Sequence, residues 1–140
     1  MNETGYSKRF RLACRRAAWV MYDMWCERGH SDTRLLQPPL IPDDVVIIGS
    51  SKLGAETKEH IIPRKVIVDK CHEMFRNGQD DSAAKTLIQE NVRIIYISKK
   101  EAQTLNNSDQ LNLRQCMPSG WTFETGDKYA RIKMAGIEWE

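Results

Sequence analysis

The chain lacks paired cysteines, a secretory signal and any long apolar run. Its four cysteines lie far apart and no CxxC pair occurs, so the sequence excludes a zinc site built on such pairs. They are Cys14, Cys26, Cys71 and Cys116. The first residues, MNETGYSKRF, hold no apolar stretch, which indicates that no secretory signal is present. We therefore expect a cytoplasmic protein whose four cysteines are free thiols, buried as small apolar side chains.

Membrane proteins and several enzyme classes are disfavoured in the same way. The longest apolar run, Val45 to Ile48, is far too short to cross a bilayer. The sequence also has no Walker loop, no GxSxG and no GxGxxG motif. These absences argue against P-loop nucleotidases, α/β-hydrolases and dinucleotide-binding enzymes.

Length and composition are those of an ordinary globular domain. The 140 residues are 41% hydrophobic and 29% charged, a balance that argues against disorder. A domain of this size can bury roughly 70% of the surface of its unfolded chain. We therefore predict one domain over residues 1–140. The net charge of +2 does not by itself predict a nucleic-acid partner.

The spacing of apolar residues predicts helices over much of the chain. A long N-terminal helix is expected over residues 6–28, with Ser7 as its N-cap and Gly29 as its stop. A proline-rich arm follows over residues 30–44. Four shorter helices are expected: residues 64–77, a helix capped by Asp80 or Asp81, residues 99–105 after a Ser98–Glu101 capping box, and a last helix from Asp127 to Met134.

Runs of β-branched residues predict two strands, at Val45–Ile48 and Val92–Ile97. The segment Thr57–Ile62, which ends at Pro63, could be a further strand. We predict an α+β fold, with a small sheet of two to four strands, a long N-terminal helix and three to four shorter helices. Residues 45–107 would form the α+β core, and residues 108–140 a C-terminal helical lid.

The segment Glu59-His60-Ile61-Ile62-Pro63 is the most informative motif. Adjacent side chains on a strand face opposite sides, so Glu59 and His60 converge only if the strand bends or bulges. A neutral imidazole can accept a proton near physiological pH, and a divalent metal can offset the charge that develops on a phosphate.

On these residues the chain resembles the HNH-type (ββα-metal) nucleases over residues 45–107. The resemblance implies that His60 is the general base and that Glu59 is a metal ligand. Asn91 matches the asparagine that orients the histidine, and Asn106 or Glu101 could provide the ligand on the following helix. The cofactor implied is a divalent metal, magnesium or zinc, and the reaction is phosphodiester cleavage.

The chain departs from that family in three respects. The helix that follows the second strand has no histidine, the zinc-knuckle cysteines are missing, and a largely helical insertion separates His60 from Asn91. An inactive relative of the same fold is therefore an alternative. The segment can also be an ordinary strand edge in which Glu59 pairs with Arg64.

A cluster of basic residues lies on the first turns of the long helix. It consists of Lys8, Arg9, Arg11, Arg15 and Arg16. Cations destabilise the N-terminal end of a helix dipole, and like charges four residues apart repel, so folding alone does not favour this placement. A polyanion would relieve both effects, and arginine suits bidentate phosphate contacts. These residues, with Arg64, are our candidates for a nucleic-acid or acidic-partner surface, although charge runs are often only solvated.

Aromatic residues follow on the same helix. Trp19, Tyr22 and Trp25 can stack on exposed bases or anchor the core, and we assign at least Trp25 to the core. Two functions remain open. The first is an HNH-like nuclease. The second is a non-catalytic phage or mobile-element protein that binds and inhibits a host nucleic-acid-processing defence complex.

Overall fold

The computed structural model describes residues 5–140, and its elements confirm the α+β class. The α-helices are α1 (Gly5–Arg28), α2 (Arg64–Arg76), α3 (Asp81–Asn91), α4 (Lys99–Asn106) and α5 (Ala130–Met134). The strands are β1 (Ile47–Ser50), β2 (Thr57–His60) and β3 (Ile94–Ile97). Short 3-10 helices lie at Thr33–Leu36 and Asp43–Val45. No helix within residues 5–140 is long and apolar enough to cross a bilayer.

The three strands form one mixed sheet with β3 in the centre. Their order is β1-β3-β2, with β1 parallel and β2 antiparallel to β3. Central strands bury both faces, and Ile94, Ile95 and Ile97 are indeed buried. The run of apolar residues in β3 is therefore explained by the central position of this strand in the sheet.

Two compact units make up the chain. The helical unit comprises the residues up to Val46 together with Ile67–Val92. The sheet unit comprises Ile47–Val66 and Arg93–Glu140. Each unit has buried apolar residues of its own, and the single domain expected from the sequence stays a prediction.

Small side chains predominate on the buried face of α1. They are Ala13, Cys14, Ala17 and Ala18, and the larger Met21 is buried with them. This face of α1 packs mainly on α3, where Ala84 and Ile88 are buried. Because alanine and cysteine are small, the two helix backbones can approach closely. These residues recur at the helical spacing from which the long N-terminal helix is predicted.

Several helix ends lie where the sequence predicts them. Asp80 caps α3 by accepting a hydrogen bond from the Ser82 amide, and Ser98 and Glu101 form the expected capping box on α4. Gly29, which follows α1, has a φ of 73°, a conformation that favours glycine.

Other boundaries differ from the prediction. Ser7 lies inside α1 and is not its N-cap. The first strand begins at Ile47, two residues later than expected, because Val45 belongs to a 3-10 helix that begins after Pro42. Proline fixes an extended start for such a turn, and this local preference prevails over the β-branched run.

The C-terminal region is less helical than expected. The helix α5 begins only at Ala130, since Asp127 accepts a hydrogen bond from the Tyr129 amide and forms a turn instead of a cap. The end of the chain then pairs with the edge of β1. The Ser50 amide donates to the Glu140 carbonyl at 2.8 Å, and the Glu140 amide donates to the Ser50 carbonyl at 3.0 Å. Residues 108–140 are therefore only in small part the predicted helical lid.

The prediction for the cysteines is half right. All four are free, and Cys14 and Cys71 are buried as expected. Cys26 and Cys116 are exposed, so the prediction of burial is wrong for them. Cys26 lies on the solvent side of α1, and Cys116 lies in a loop.

Candidate nucleic-acid interface

The basic cluster of α1 divides into structural and open positions. Arg9 donates to the Asp44 carboxylate at 3.0 Å, and Arg16 donates to the Leu40 carbonyl at 2.6 Å. Both contacts tie the proline-rich arm to α1 within the helical unit. The exposed ion pair of Arg9 contributes at most about 1 kcal/mol, and the contact of Arg16 is a single exposed hydrogen bond, so both mainly position the arm. Lys8 is exposed near the start of α1.

A basic groove lies between α1 and α3 in the helical unit. Its volume is about 820 Å³, within the usual range of roughly 300–1,000 Å³ for ligand sites. The lining residues are Arg11, Leu12, Arg15, Arg16 and Trp19 from α1, with Asp81, Ser82 and Lys85 from α3. We call this feature the α1–α3 groove. Four cationic side chains and one carboxylate line it, so the potential inside it is positive.

Helix periodicity explains why these residues share one groove. Arg11, Arg15 and Trp19 follow one another at intervals of four residues and therefore lie on one face of α1. Asp81 and Lys85 have the same spacing on α3. The buried small residues of α1 pack on α3, and the groove follows the border of that contact.

Trp19 is the unusual residue of the groove. Its side chain is 59% exposed, although tryptophan is highly buried on average. Trp25, by contrast, packs on His72 and Phe75 with ring centroids 5.0 and 5.9 Å apart. Trp25 is thus half-buried and packed against other rings of the helical unit, although it is not among the fully buried core residues, whereas Trp19 offers an open aromatic face beside arginines.

The sheet unit brings together Glu59 and Asn106, the two candidate metal ligands. The Asn106 amide donates to the Glu59 carboxylate at 3.3 Å. A third residue, Arg131, joins them: its guanidinium donates to Glu59 at 2.8 Å and to the Asn106 side-chain oxygen at 3.5 Å. The pairing of Glu59 with Arg64 that the sequence left open is therefore replaced by a pairing with Arg131. Arg64 itself is half-buried at the first position of α2.

Arg131 is fully buried and completely hydrogen-bonded. It also donates to the carbonyls of Leu113 at 2.9 Å, His60 at 2.7 Å and Ile61 at 3.4 Å. A buried guanidinium satisfied in this way holds β2, α4 and the following loop at fixed positions. We call Arg131 with Glu59 and Asn106 the Arg131 cluster.

This arrangement does not fit a divalent metal. The guanidinium already neutralises the Glu59 carboxylate, and a second cation beside it would be repelled. Glu101 is also engaged, because it accepts from the Ser51 hydroxyl at 3.0 Å and from the Ser98 amide at 2.9 Å. Within residues 5–140 no group of three or more histidine, cysteine or acidic side chains could hold a metal ion.

The remaining two catalytic candidates lie in different units. His60 ends β2 in the sheet unit, where it is half-buried and pairs with Ile94. Asn91 ends α3 in the helical unit, and its amide donates to the Leu87 carbonyl at 2.8 Å. The donor group of Asn91 is thus used within its own helix. The roles assigned to both residues stay predictions.

The sequence reasoning missed the contribution of α3 to the groove. Asp81, Ser82 and Lys85 lie far along the chain from α1, so only tertiary packing brings them together. The apolar residues Ala84 and Ile88 mark the buried face of α3. Asp81 and Lys85 lie beside that face, and this spacing is the one sequence signal that places them at the edge of a helix contact.

Comparisons with known proteins identify no relative. No protein-family model, no curated protein and no solved structure matches this chain. Any functional conclusion therefore depends on the residues of the chain itself.

Proposed function

We propose that this protein binds single-stranded nucleic acid in the α1–α3 groove. The observation that carries the proposal is an exposed indole, Trp19, set among Arg11, Arg15 and Lys85 in one concave site. Proteins that bind single strands combine a cationic groove, which follows the phosphates, with aromatic side chains, on which bases stack.

The charges of the groove support an anionic partner. Within residues 5–140, the side chains of Arg15 and Lys85 form no hydrogen bond or ion pair, and Arg15 is exposed. The first turn of α1 also contains no acidic side chain that could neutralise the cations of this helix. A phosphate backbone would offset their mutual repulsion and release counterions, which makes binding strong at low salt.

The exposed indole favours a single strand over a duplex. Duplex bases are stacked inside the helix and offer their faces to no side chain, whereas unpaired bases can turn out and stack. Stacking on an aromatic residue contributes about 1–3 kcal/mol per base. Trp19 would lose its exposure on binding, which adds apolar burial to the electrostatic attraction.

Catalysis is not part of this proposal. The strands β2 and β3 are antiparallel and α4 follows β3, but α2 and α3 lie between the two strands, and the resemblance to HNH-type nucleases stays a prediction. The ion pair between Arg131 and Glu59 argues against a metal at that carboxylate. Metal-dependent cleavage through His60 therefore stays a prediction, and its test is nuclease activity with added magnesium, manganese, nickel or zinc in wild type and His60→Ala.

A fluorescence anisotropy titration tests the proposal. Labelled single-stranded DNA, single-stranded RNA and duplex DNA of one sequence are each titrated with the full chain. We expect the single strands to bind more tightly than the duplex, with an affinity that falls steeply as salt rises. Trp19→Ala should weaken single-strand binding roughly tenfold or more, the loss of one stacked base.

Charge reversal provides the matched control. The pair Arg15→Glu with Lys85→Glu should abolish binding, while Lys99→Glu with Lys100→Glu, an equal change in net charge, should leave it nearly intact. Lys99 and Lys100 are exposed in the first turn of α4, where acidic residues suit the helix dipole. Equal losses of affinity in both double variants would mean that the strand is attracted by the net charge of the protein and not by the α1–α3 groove. No binding of any strand would overturn it, and capture of an acidic protein by the groove would favour the inhibitor alternative.

A further inference from the structure

One carboxylate lies in the otherwise cationic α1–α3 groove. Asp81 is half-buried, and within residues 5–140 its side chain forms no hydrogen bond or ion pair. The cap of α3 is provided by its neighbour Asp80, so the first turn does not depend on Asp81 for a cap. Its favourable interaction with the dipole of α3 accounts for an acid in this turn, but what its open oxygens, beside Arg11, Arg15 and Lys85, do with a bound strand needs a separate explanation.

A phosphate contact cannot provide that explanation. A carboxylate repels phosphate, so Asp81 lowers the affinity of the groove for the nucleic-acid backbone. An ionised carboxylate can only accept hydrogen bonds. Its partner must therefore be a donor, and the donors of a nucleic acid lie on the edges of the bases and on the sugar.

Given that the groove binds a single strand, as proposed above, we infer that Asp81 selects guanine for the base that stacks on Trp19. Guanine carries two neighbouring N–H donors on its Watson–Crick edge, and they match the two oxygens of one carboxylate. In a single strand this edge is open. Thymine and uracil present one N–H between two carbonyls, which a carboxylate repels.

The neighbours of Asp81 are compatible with the same base. Lys85 lies one turn further along α3 on the same face, and its ammonium group can donate to the guanine oxygen. The larger purine ring also covers more of an exposed indole than a pyrimidine does. Asp81 thus acts as a specificity-determining residue, while the arginines hold the backbone.

The test uses oligothymidylate strands that carry one central guanine, adenine, cytosine or thymine. Wild type should bind the guanine strand about tenfold more tightly than the thymine strand. Asp81→Asn should remove most of this preference and leave affinity for the all-thymine strand unchanged or higher, since a repulsive charge is lost. Thermal unfolding of each variant, followed by circular dichroism, reports whether α3 stays folded.

Asp80→Asn is the matched control, because asparagine caps helices as well as aspartate and Asp80 does not line the groove. It should keep the guanine preference. Equal binding of all four strands by wild type, or a preference that persists in Asp81→Asn, would overturn the inference but leave single-strand binding in place. Failure of wild type to bind any strand would remove both this inference and the proposed function.

Discussion

The two units of the chain treat arginine in opposite ways. In the sheet unit Arg131 is fully buried and donates to five oxygen-bearing groups, among them an ion pair with Glu59. In the helical unit Arg15 is exposed in the α1–α3 groove and has no side-chain partner within residues 5–140. A cation whose donors are all used stabilises the fold, whereas an open cation remains available to an external anion. Arg131 therefore has a structural role, whereas Arg15 is the residue that binds under the function proposed above.

The same substitution at both positions should separate these roles most clearly. Arg131→Met leaves the Glu59 carboxylate, only 13% exposed, without its counter-charge, and should lower the free energy of unfolding by about 3–5 kcal/mol. Arg15→Met should change it by no more than about 0.5 kcal/mol. Urea denaturation measures both. Similar losses for the two variants would break the comparison.

The next largest loss of stability is expected at Gly49, where the backbone of β1 lies close to the backbone of Glu140. A Cβ added at Gly49 would lie 2.1 Å from the Glu140 carbonyl oxygen, whereas one added at Gly5 meets nothing within 4 Å. Gly49→Ala should therefore destabilise the protein by about 1–3 kcal/mol through overpacking. Gly5→Ala, measured by the same denaturation, serves as the control and should have little effect. A stable Gly49→Ala variant would mean that the C-terminal segment does not rest firmly against β1.

Cysteine reactivity offers a graded comparison. Burial raises the pKa of the Cys71 thiol to about 12, while Cys26 and Cys116 are exposed. Because the thiolate is the reactive form, a thiol reagent at neutral pH should label Cys26 and Cys116 quickly and Cys71 only after unfolding. Mass spectrometry of peptides from the native protein measures the order. Labelling of Cys71 at the rate of Cys26 would show that the core of the helical unit opens readily.

The smallest expected effect concerns an exposed carboxylate. The Arg34 side chain and amide lower the pKa of Asp32 to about 2. Because the folded pKa is depressed, the stabilisation is present above the unfolded pKa and is lost as pH falls toward about 2. Carboxyl chemical shifts measured by NMR should give a midpoint near about 2 for Asp32. In Arg34→Gln that midpoint should rise, and an ordinary midpoint in both proteins would contradict the ion pair.

Local sequence signals predict the helices better than the site. Caps and stops such as Asp80, the Ser98–Glu101 box and Gly29 involve residues only a few positions apart. A short stretch of sequence therefore contains both partners of each interaction and predicts where the helix ends. The shifted start of β1 and the pairing of β1 with Glu140 depend on residues far apart in sequence. Periodicity alone carries no information on such contacts.

The candidate sites show the same division. The sequence predicts the basic cluster and Trp19 as a pattern on one helix, because helical spacing fixes which residues share a face. It does not predict which of these cations stay open, since Asp44 and Leu40 engage Arg9 and Arg16 only in the folded chain. The motif at Glu59 and His60 had the opposite outcome. It suggested a metal ligand, and the tertiary fold instead supplies Arg131 as the partner of Glu59.

The most direct test of the comparison is an NMR titration of isotope-labelled protein with a short single-stranded oligonucleotide. We expect the backbone amides with the largest shifts to lie within residues 11–19 of α1 and 81–85 of α3, the two stretches that contain the residues of the groove. The indole N–H signal of Trp19 should move with them. The largest shifts at β2 and α4, around Glu59 and Asn106, would instead locate binding at the Arg131 cluster and contradict the assignment.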